Sequence, residues 1–477
     1  MTPDEFRRAG HALVEWVATY RERLAAGDLP VQSRAAPGDL IGRLPTAAPE
    51  RGEPVDAILA DLDALILPGI THWQHPRFFG YFPSGGSLTS VLGDLVSTGL
   101  GVIGLNWQAS PALTELEQVT TDWLRDLLGL SPAFSGVIQD TASAASFVAL
   151  VCARERATDY GAVREGLQAG GPPLVVYASA QAHSSVEKAA LLAGFGRRHV
   201  RAVALDAEYR MDVAALEAAI RADRAAGLKP CAIVATTGTT ATTAMDPIAA
   251  IAAVARREGL WLHVDGAMGG SAMLLPECRH HWQGIEAADS IVVNPHKWLT
   301  IAFDCSLYLV RDPEHLVRVM STNPSYLQTA VDTQVRNYRD WGIPLGRRFR
   351  ALKLWLTLRE QGAEAIRARL RRDLANAQWL AAEVGAAPHW QCVAPVVLQT
   401  VCVRHAPAGL DAAAVDAHTR RWTQALNDSG VAYVTPAVVA GRWLTRVSIG
   451  AELTEARHVE ELWRAMRREA EASAAAV

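Results

Sequence analysis

Apolar and polar positions recur along this chain in two rhythms, and the change between them divides it. Near the N-terminus the rhythm is helical. Thr2-Pro3-Asp4-Glu5 has the form of a helix start: a capping Thr, Pro at the first helical position, and Glu three residues after the Thr. Phe6, Leu13, Trp16, Val17, Tyr20 and Leu24 then fall on one helical face. The stretch from Asp28 to Pro54, rich in Pro, Gly and Ala, reads as an extended connector, and a second amphipathic segment covers Ile58 to Ile66. Nothing here can bury its apolar face alone, so this region is expected to pack on another domain or another subunit.

From about residue 114 short apolar runs alternate with helical stretches. The runs are LVVY (174–177), HVRAVAL (199–205), CAIVAT (231–236), LWLHVD (260–265), SIVVN (290–294) and SLYLV (306–310). Helical patterns such as Val213 to Ala226 and Ile248 to Glu258 lie between several of them. Strand, helix, strand at this spacing predicts an α/β fold with a mainly parallel central sheet covered by helices on both faces. After Gly346 comes a long helical stretch, RRFRALKLWLTLREQG. The last hundred or so residues mix helices with short strands (VVLQTVCVR, TRVSIG), as a smaller α+β domain would.

Composition narrows the class. The 477 residues are 50% apolar with a net charge of −4, which allows a large core and gives no electrostatic case for nucleic acid or a membrane surface. No apolar run reaches the roughly 20 residues of a membrane helix, and MTPDEFRRAGHALVEW lacks a signal-peptide pattern. Cys152, Cys231, Cys278, Cys305, Cys392 and Cys402 are scattered without metal-ligand or redox spacing. Reduced thiols in a cytoplasm and no metal are the expectation. Lysine is scarce: Lys188, Lys229, Lys297 and Lys353 are the four in the chain, and every other basic residue is Arg. Arginine cannot form an imine with a carbonyl, whereas lysine can.

Four motifs fall where strands of a parallel sheet end and ligands bind. NPHKW (294–298) puts Lys297 just past a strand, although a lone loop lysine is more often a solvated charge. HVDGA (263–267) ends a strand on Asp265, either half of a structural ion pair or the partner of a protonated ring nitrogen. GVIQDTASAASFVALVCARERA (136–157) opens a helix at Thr141-Ala142-Ser143, an ordinary cap or a phosphate site. AQAHSSVEKAA (180–190) offers His183, a plain surface or core residue or a ring that stacks on another.

Together with THWQHPRFFGYFPS (71–84), LNWQASPALTELE (105–117), FDCS (303–306), NPSYL (323–327) and WGIPLGRRFRALKLW (341–355), these motifs resemble the group II pyridoxal-phosphate-dependent decarboxylases. Among those, the aromatic-L-amino-acid decarboxylases are the most similar. The resemblance runs from the N-terminal helix into the small domain and weakens after about residue 370. It implies the fold type I (aspartate aminotransferase-like) architecture, with an N-terminal helical dimerisation segment (1–85), a large cofactor-binding α/β domain (86–360) and a small C-terminal α+β domain (361–477). It implies pyridoxal 5'-phosphate as cofactor and a homodimer with shared active sites. By the same resemblance Lys297 is the Schiff-base lysine, Asp265 pairs with the pyridine nitrogen and His183 stacks on the ring. Ala142, Ser143, Asn294 and His296 hold the phosphate, and Thr240 and Ala267 pack near the ring. Tyr326, on a mobile loop, protonates the α-carbon. Trp73, Tyr81, Phe82, Ile103, Leu105 and Gly346 shape the aromatic pocket, with Ser84 keeping a hydroxyl for a phenol or catechol.

The sequence departs from the family pattern at Ala145, Ala180, Gly266 and Ala302, and the loop from Tyr326 to Trp341 is slightly short. The expected reaction is decarboxylation of an aromatic L-amino acid to its arylalkylamine. Gly346 leaves room for an indole and so favours tryptophan, while tyrosine, phenylalanine and dihydroxyphenylalanine stay open. The alternative is an aromatic aldehyde synthase; relatives of that kind often carry Phe at the loop position where this chain has Tyr326. A transaminase- or lyase-like enzyme on the same scaffold is disfavoured by FDCS, NPSYL and PLGRRF.

Overall fold

The computed structural model describes residues 1–322 and 324–475, with the side chains of Ala169 and Tyr326 outside that description. Helix Pro3–Ala26 begins as its sequence predicts: the Glu5 N–H donates to the Thr2 hydroxyl at 3.3 Å, and the Thr2 N–H donates to the Glu5 carboxylate at 2.6 Å. Residues 28–54 run through turns and bends, and the second amphipathic segment is a helix at Val55–Asp61 widened into a π turn at Leu62–Ile66.

The large sheet is built from β1 (Ser135–Gln139), β2 (Leu174–Ser179), β3 (Val200–Val203), β4 (Lys229–Thr236), β5 (Trp261–Asp265), β6 (Ser290–Val293) and β7 (Ser306–Val310). Its order is β1-β7-β6-β5-β4-β2-β3, with β7 antiparallel to both neighbours and every other pair parallel. The apolar runs of the sequence become β2 to β7. Their near-continuous apolar character follows from burial on both faces; β5, β6 and β7 are buried at every position. β1 is not announced by the apolar pattern, because Ser135-Gly136-Val137-Ile138-Gln139 holds only two large apolar residues. Pairing with β7, Val137 opposite Tyr308, makes it a strand. Helix Ala142–Ala157 packs Ala145, Val148, Ala149 and Cys152 into one core with Val176, Val234 and Val292 of the sheet.

By internal packing the chain forms two compact units: Met1–Pro83 with Glu383–Gln391 and Val403–Val477, and Ser84–Ala382 with Cys392–Cys402. The second holds the large sheet and residues 351–382 of helix Ala351–Ala386, which kinks at Gly362. The smaller sheet has the order β10-β11-β9-β8, from β8 (Trp390–Cys392), β9 (Thr400–His405), β10 (Thr435–Val439) and β11 (Arg442–Ser448); β10, β11 and parts of β8 and β9 belong to the first unit. Within this unit the N-terminal segment finds its cover: Leu24, Leu29 and Leu67 are buried together against Leu453. The Phe79 N–H donates to the Tyr433 carbonyl at 2.8 Å. The architecture is the expected one, a mostly parallel central sheet with a small C-terminal antiparallel sheet. No helix among the described residues is long and apolar enough to cross a membrane.

Candidate active site

Because β4, β5 and β6 are parallel, their carboxyl ends share one edge of the sheet, and the motif residues gather there. Asp265 is the last residue of β5, paired with Thr236 and Val292 on either side. It is 5% exposed, and one of its oxygens accepts the Ala267 N–H at 3.0 Å. No Lys or Arg among the described residues forms an ion pair with it, so the structural ion pair that the sequence left open has no partner. A buried carboxylate without a cation costs roughly several kcal/mol. The turn after β6 carries Asn294 to Thr300, and within it the Asn294 N–H donates to the Ala267 carbonyl at 3.0 Å, joining the Asp265 and Lys297 turns.

The four lysines now separate. Lys353 is fully buried and paired with Asp94 (3.1 Å) and Asp304 (3.9 Å). Lys229 is exposed and caps the Ala157 carbonyl at 2.6 Å, and Lys188 is exposed on helix Ser184–Leu192. Lys297 alone stands at the sheet edge, half-buried, close enough to His183 to perturb its titration. The turn that carries it is clamped: the Trp298 indole donates to Asp373 at 2.9 Å, and Arg369 donates to the Trp298 carbonyl at 2.9 Å.

Histidine protonation follows from the hydrogen bonds. The Nδ1 of His183 accepts the Ser185 N–H at 3.1 Å, which leaves the proton of the neutral ring on Nε2. Desolvation first and the Lys297 charge second lower its pKa, while Asp265 opposes them. His296 accepts the Cys305 N–H on Nδ1 at 3.0 Å, and burial, then Lys297, pulls its pKa down to about 3. Both rings therefore present a neutral Nε2–H donor. His263, two residues before Asp265 and so on the same face of β5, is buried beneath the edge with its pKa lowered by desolvation to about 4. It bonds Ser290 at 2.9 Å and Ser146 at 3.4 Å.

The donor set fits pyridoxal phosphate. Helix Ala142–Ala157 begins at the end of β1, and its cap Thr141 accepts the Ala144 N–H at 3.3 Å. The Ala142 and Ser143 N–H groups have no acceptor among the described residues, as the first turn of a helix leaves them. Ser143 is exposed with its hydroxyl, and Asn294, whose carbonyl oxygen accepts the Ser306 hydroxyl at 2.7 Å, keeps its amide N–H groups as donors. These donors suit a phosphate; the unpaired Asp265 suits a pyridinium nitrogen, and Lys297 an imine.

The remaining candidates fall into two sets. In the second unit the Ser84 hydroxyl donates to the His296 carbonyl at 2.5 Å. A Cβ on Gly346 would stand 3.4 Å from Ile103, the Gly104 N–H donates to the Arg347 carbonyl at 2.9 Å, and the Leu105 N–H to the Ile103 carbonyl at 3.0 Å. Residues 103–105 and 346–347 thus form one wall. Thr240 is exposed on the turn after β4, next to Thr239 and its hydrogen bond to Thr242. In the first unit Trp73 stacks on Tyr81 (ring centroids 5.3 Å apart), and the Arg446 guanidinium lies over the buried Phe82. The Tyr326 side chain lies outside the described residues, while its backbone belongs to the turn Ser325–Leu327.

Sequence reasoning missed the supports. Arg347 and Glu117 form a buried bidentate pair (2.6 and 3.0 Å), and Glu117 also accepts the Ile138 N–H at 2.8 Å. Asp373 beneath Trp298 is equally unannounced. The partners lie 230 and 75 residues apart, with no local pattern to connect them. Only His263 had a signal, the two-residue period of its strand.

A lysine, a buried carboxylate with no ion-pair partner among the described residues and the N–H groups of a helix start, at one edge of a mostly parallel sheet, suit a pyridoxal-phosphate-dependent enzyme. The model of the pyridoxal-dependent decarboxylase conserved domain matches residues 37–406, and the chain belongs to that family. It is 39% identical to phenylacetaldehyde synthase of Arabidopsis thaliana, over 98% of this chain and 96% of that protein. It is 40% identical to tyrosine decarboxylase 4 of Petroselinum crispum, over 99% of this chain and 94% of that one. The crystal structure of Oryza sativa TDC with PLP and tryptamine superposes with a TM-score of 0.95 at 36% identity, covering 99% of both chains. The protein is a pyridoxal-phosphate-dependent decarboxylase.

Proposed function

We propose that the enzyme decarboxylates an aromatic L-amino acid to its arylalkylamine and carbon dioxide, with tryptophan preferred and tyrosine, phenylalanine and dihydroxyphenylalanine as further substrates. The observation that carries the aromatic reading is the wall of Gly346 and Ile103, where a position without a side chain lies against an apolar one and neither adds a charge. None of the pocket candidates is a Lys or Arg that could meet a side-chain carboxylate, which disfavours glutamate and aspartate. Relatives named for tyrosine, tryptophan and phenylacetaldehyde support the same substrate class.

Bound cofactor supplies an electron sink for the pair released with carbon dioxide. Lys297 anchors it through Nζ, Asp265 sets a negative charge against its ring nitrogen, and His183 flanks the ring. Ala142, Ser143, Asn294 and His296 donate to its phosphate, while Thr240 and Ala267 pack near the ring. Trp73, Tyr81, Phe82, Ser84, Ile103, Leu105 and Gly346 orient the substrate. Tyr326 donates its phenolic proton to the α-carbon after the carboxylate has left.

A homodimer with shared active sites is supported by helix Leu88–Leu100, whose Leu88, Val91, Leu92, Leu95, Val96 and Leu100 are exposed together. The segment 1–85 is assigned to dimerisation, 86–360 to the cofactor and 361–477 to the small domain. Six free thiols support a reducing compartment, the cytoplasm.

The test is quantification of amine, aldehyde and peroxide from the four aromatic acids, with Tyr326→Phe beside the wild type. Wild type is expected to yield amine, most from tryptophan. Without the proton donor the variant should turn substrate, dioxygen and water into aldehyde, carbon dioxide, ammonia and peroxide. A wild type that makes mainly aldehyde would replace this reading with the aldehyde synthase, and an unchanged amine yield in Tyr326→Phe would assign the proton to another donor.

A further inference from the structure

The segment that follows Tyr326 is tied across its own base by one carboxylate. Asp332 accepts the Thr329 N–H at 3.0 Å and the Thr329 hydroxyl at 2.5 Å, and its Oδ1 also accepts the Asn337 side-chain amide at 3.0 Å. Arg339, almost wholly buried, brings its guanidinium to 3.8 Å of the same carboxylate. Asn337 is itself buried, and its carbonyl oxygen accepts the Trp107 backbone N–H at 2.9 Å. Trp107 follows two residues after Leu105, and its indole is held by Glu115 at 2.8 Å.

On the other side of the tie, two adjacent turns lead toward Tyr326. The Leu327 N–H donates to Pro324, the Gln328 N–H to Ser325 and the Asp332 N–H to Thr329. A chain of consecutive turns transmits the position of its base, because each bond removes backbone freedom that the next residue would otherwise have. Hydrogen bonds to an ionised carboxylate are the stronger kind. Asp332 is kept ionised by the Thr329 hydroxyl and then by the Thr329 N–H, which lower its pKa.

We propose that Asp332 and Asn337 are positioning residues, a strap that sets the turn carrying Tyr326 against the substrate wall at residues 103–107. The inference rests on Tyr326 as proton donor. It adds that the fraction of substrate leaving as amine is governed by residues that touch neither substrate nor cofactor. When the strap is loose, the phenol is misplaced, and the α-carbon meets dioxygen before a proton. Dioxygen is then reduced to peroxide, and water releases the aldehyde and ammonia.

The test compares holoenzymes of Asp332→Ala, Asn337→Ala, Thr329→Val, Thr329→Ser and Tyr326→Phe on tryptophan under air, reading the amine-to-aldehyde ratio and KM. Hydrogen exchange of residues 325–338, followed by mass spectrometry, is the second readout and is independent of turnover. Asp332→Ala, Asn337→Ala and Thr329→Val are expected to lower the ratio about tenfold, with KM within about twofold of wild type. Exchange across 325–334 should speed up in the same variants, and Thr329→Ser, which keeps the hydroxyl, should restore both readouts. Faster exchange with a wild-type ratio, or no change in either, overturns the inference alone. An unchanged ratio in Tyr326→Phe overturns the proton-donor reading and the inference with it.

Discussion

The floor of the site and its wall are made in different ways. The floor is the end of β5 and the turn after β6: Asp265, Asn294 and His296 are each at most 5% exposed, and the Asn294 N–H bonds the Ala267 carbonyl across neighbouring turns. The wall consists of the segment 103–107, the segment 343–347 and the strap at 329–337. Here Ile103 is 59% exposed and Ile343 equally so, and the segments are held by hydrogen bonds between loops. A sheet edge holds its groups to a narrow geometry, whereas loops accept replacements that leave the scaffold intact. We propose that the reaction type lives in the first and the choice of substrate in the second.

That division predicts that floor variants damage turnover of every substrate alike, while wall variants change ratios between substrates. The largest effect belongs to Lys297→Ala, which should fold, lose the visible absorption of the lysine-bound cofactor and show almost no turnover with any of the four aromatic acids. Persistence of the band and of turnover would transfer the role to another lysine, and the ion pairs of Lys353 make it a poor substitute.

Asp265→Asn is next. It removes the charge with little change of shape, and a loss of about two powers of ten in kcat is expected, equal for tryptophan and phenylalanine, together with weaker cofactor retention on dialysis. A loss confined to one substrate would break the comparison by placing Asp265 in the wall.

Acid should find the floor before the wall. Burial sets the folded pKa values of His296 and His263 at about 3 and about 4, below the 6.5 of an unstructured histidine. Their stabilising contribution is complete above pH about 6.5, where neither state binds the proton. It is lost as pH falls toward the folded values, because the unfolded chain then takes up protons that the folded one refuses, at about 1.4 kcal/mol per pH unit for each group. Urea midpoints should therefore drop between pH 7 and pH 5, and His263→Gln should flatten the dependence. Equal slopes in variant and wild type would acquit His263.

The smallest effect is the most specific. Gly346→Ser adds two heavy atoms toward Ile103, and it should lower kcat/KM for tryptophan relative to phenylalanine by about tenfold, the order expected for a small volume change in a pocket. A uniform loss would make Gly346 part of the scaffold instead.

Much of this was written locally. The Thr2 cap, the alternation that became β2 to β7 and the place of Lys297 just past a strand all rest on patterns within a few residues, where propensity and period act directly. Tertiary structure alone decided which charges are paired. It neutralised Lys353 with Asp94, left Asp265 without a cationic partner among the described residues, and buried Arg347 on Glu117. It also joined Asn337 to Trp107 and set Gly346 against Ile103. Each of these contacts links residues more than 200 positions apart, and only the packed chain brings such groups within hydrogen-bonding or van der Waals reach.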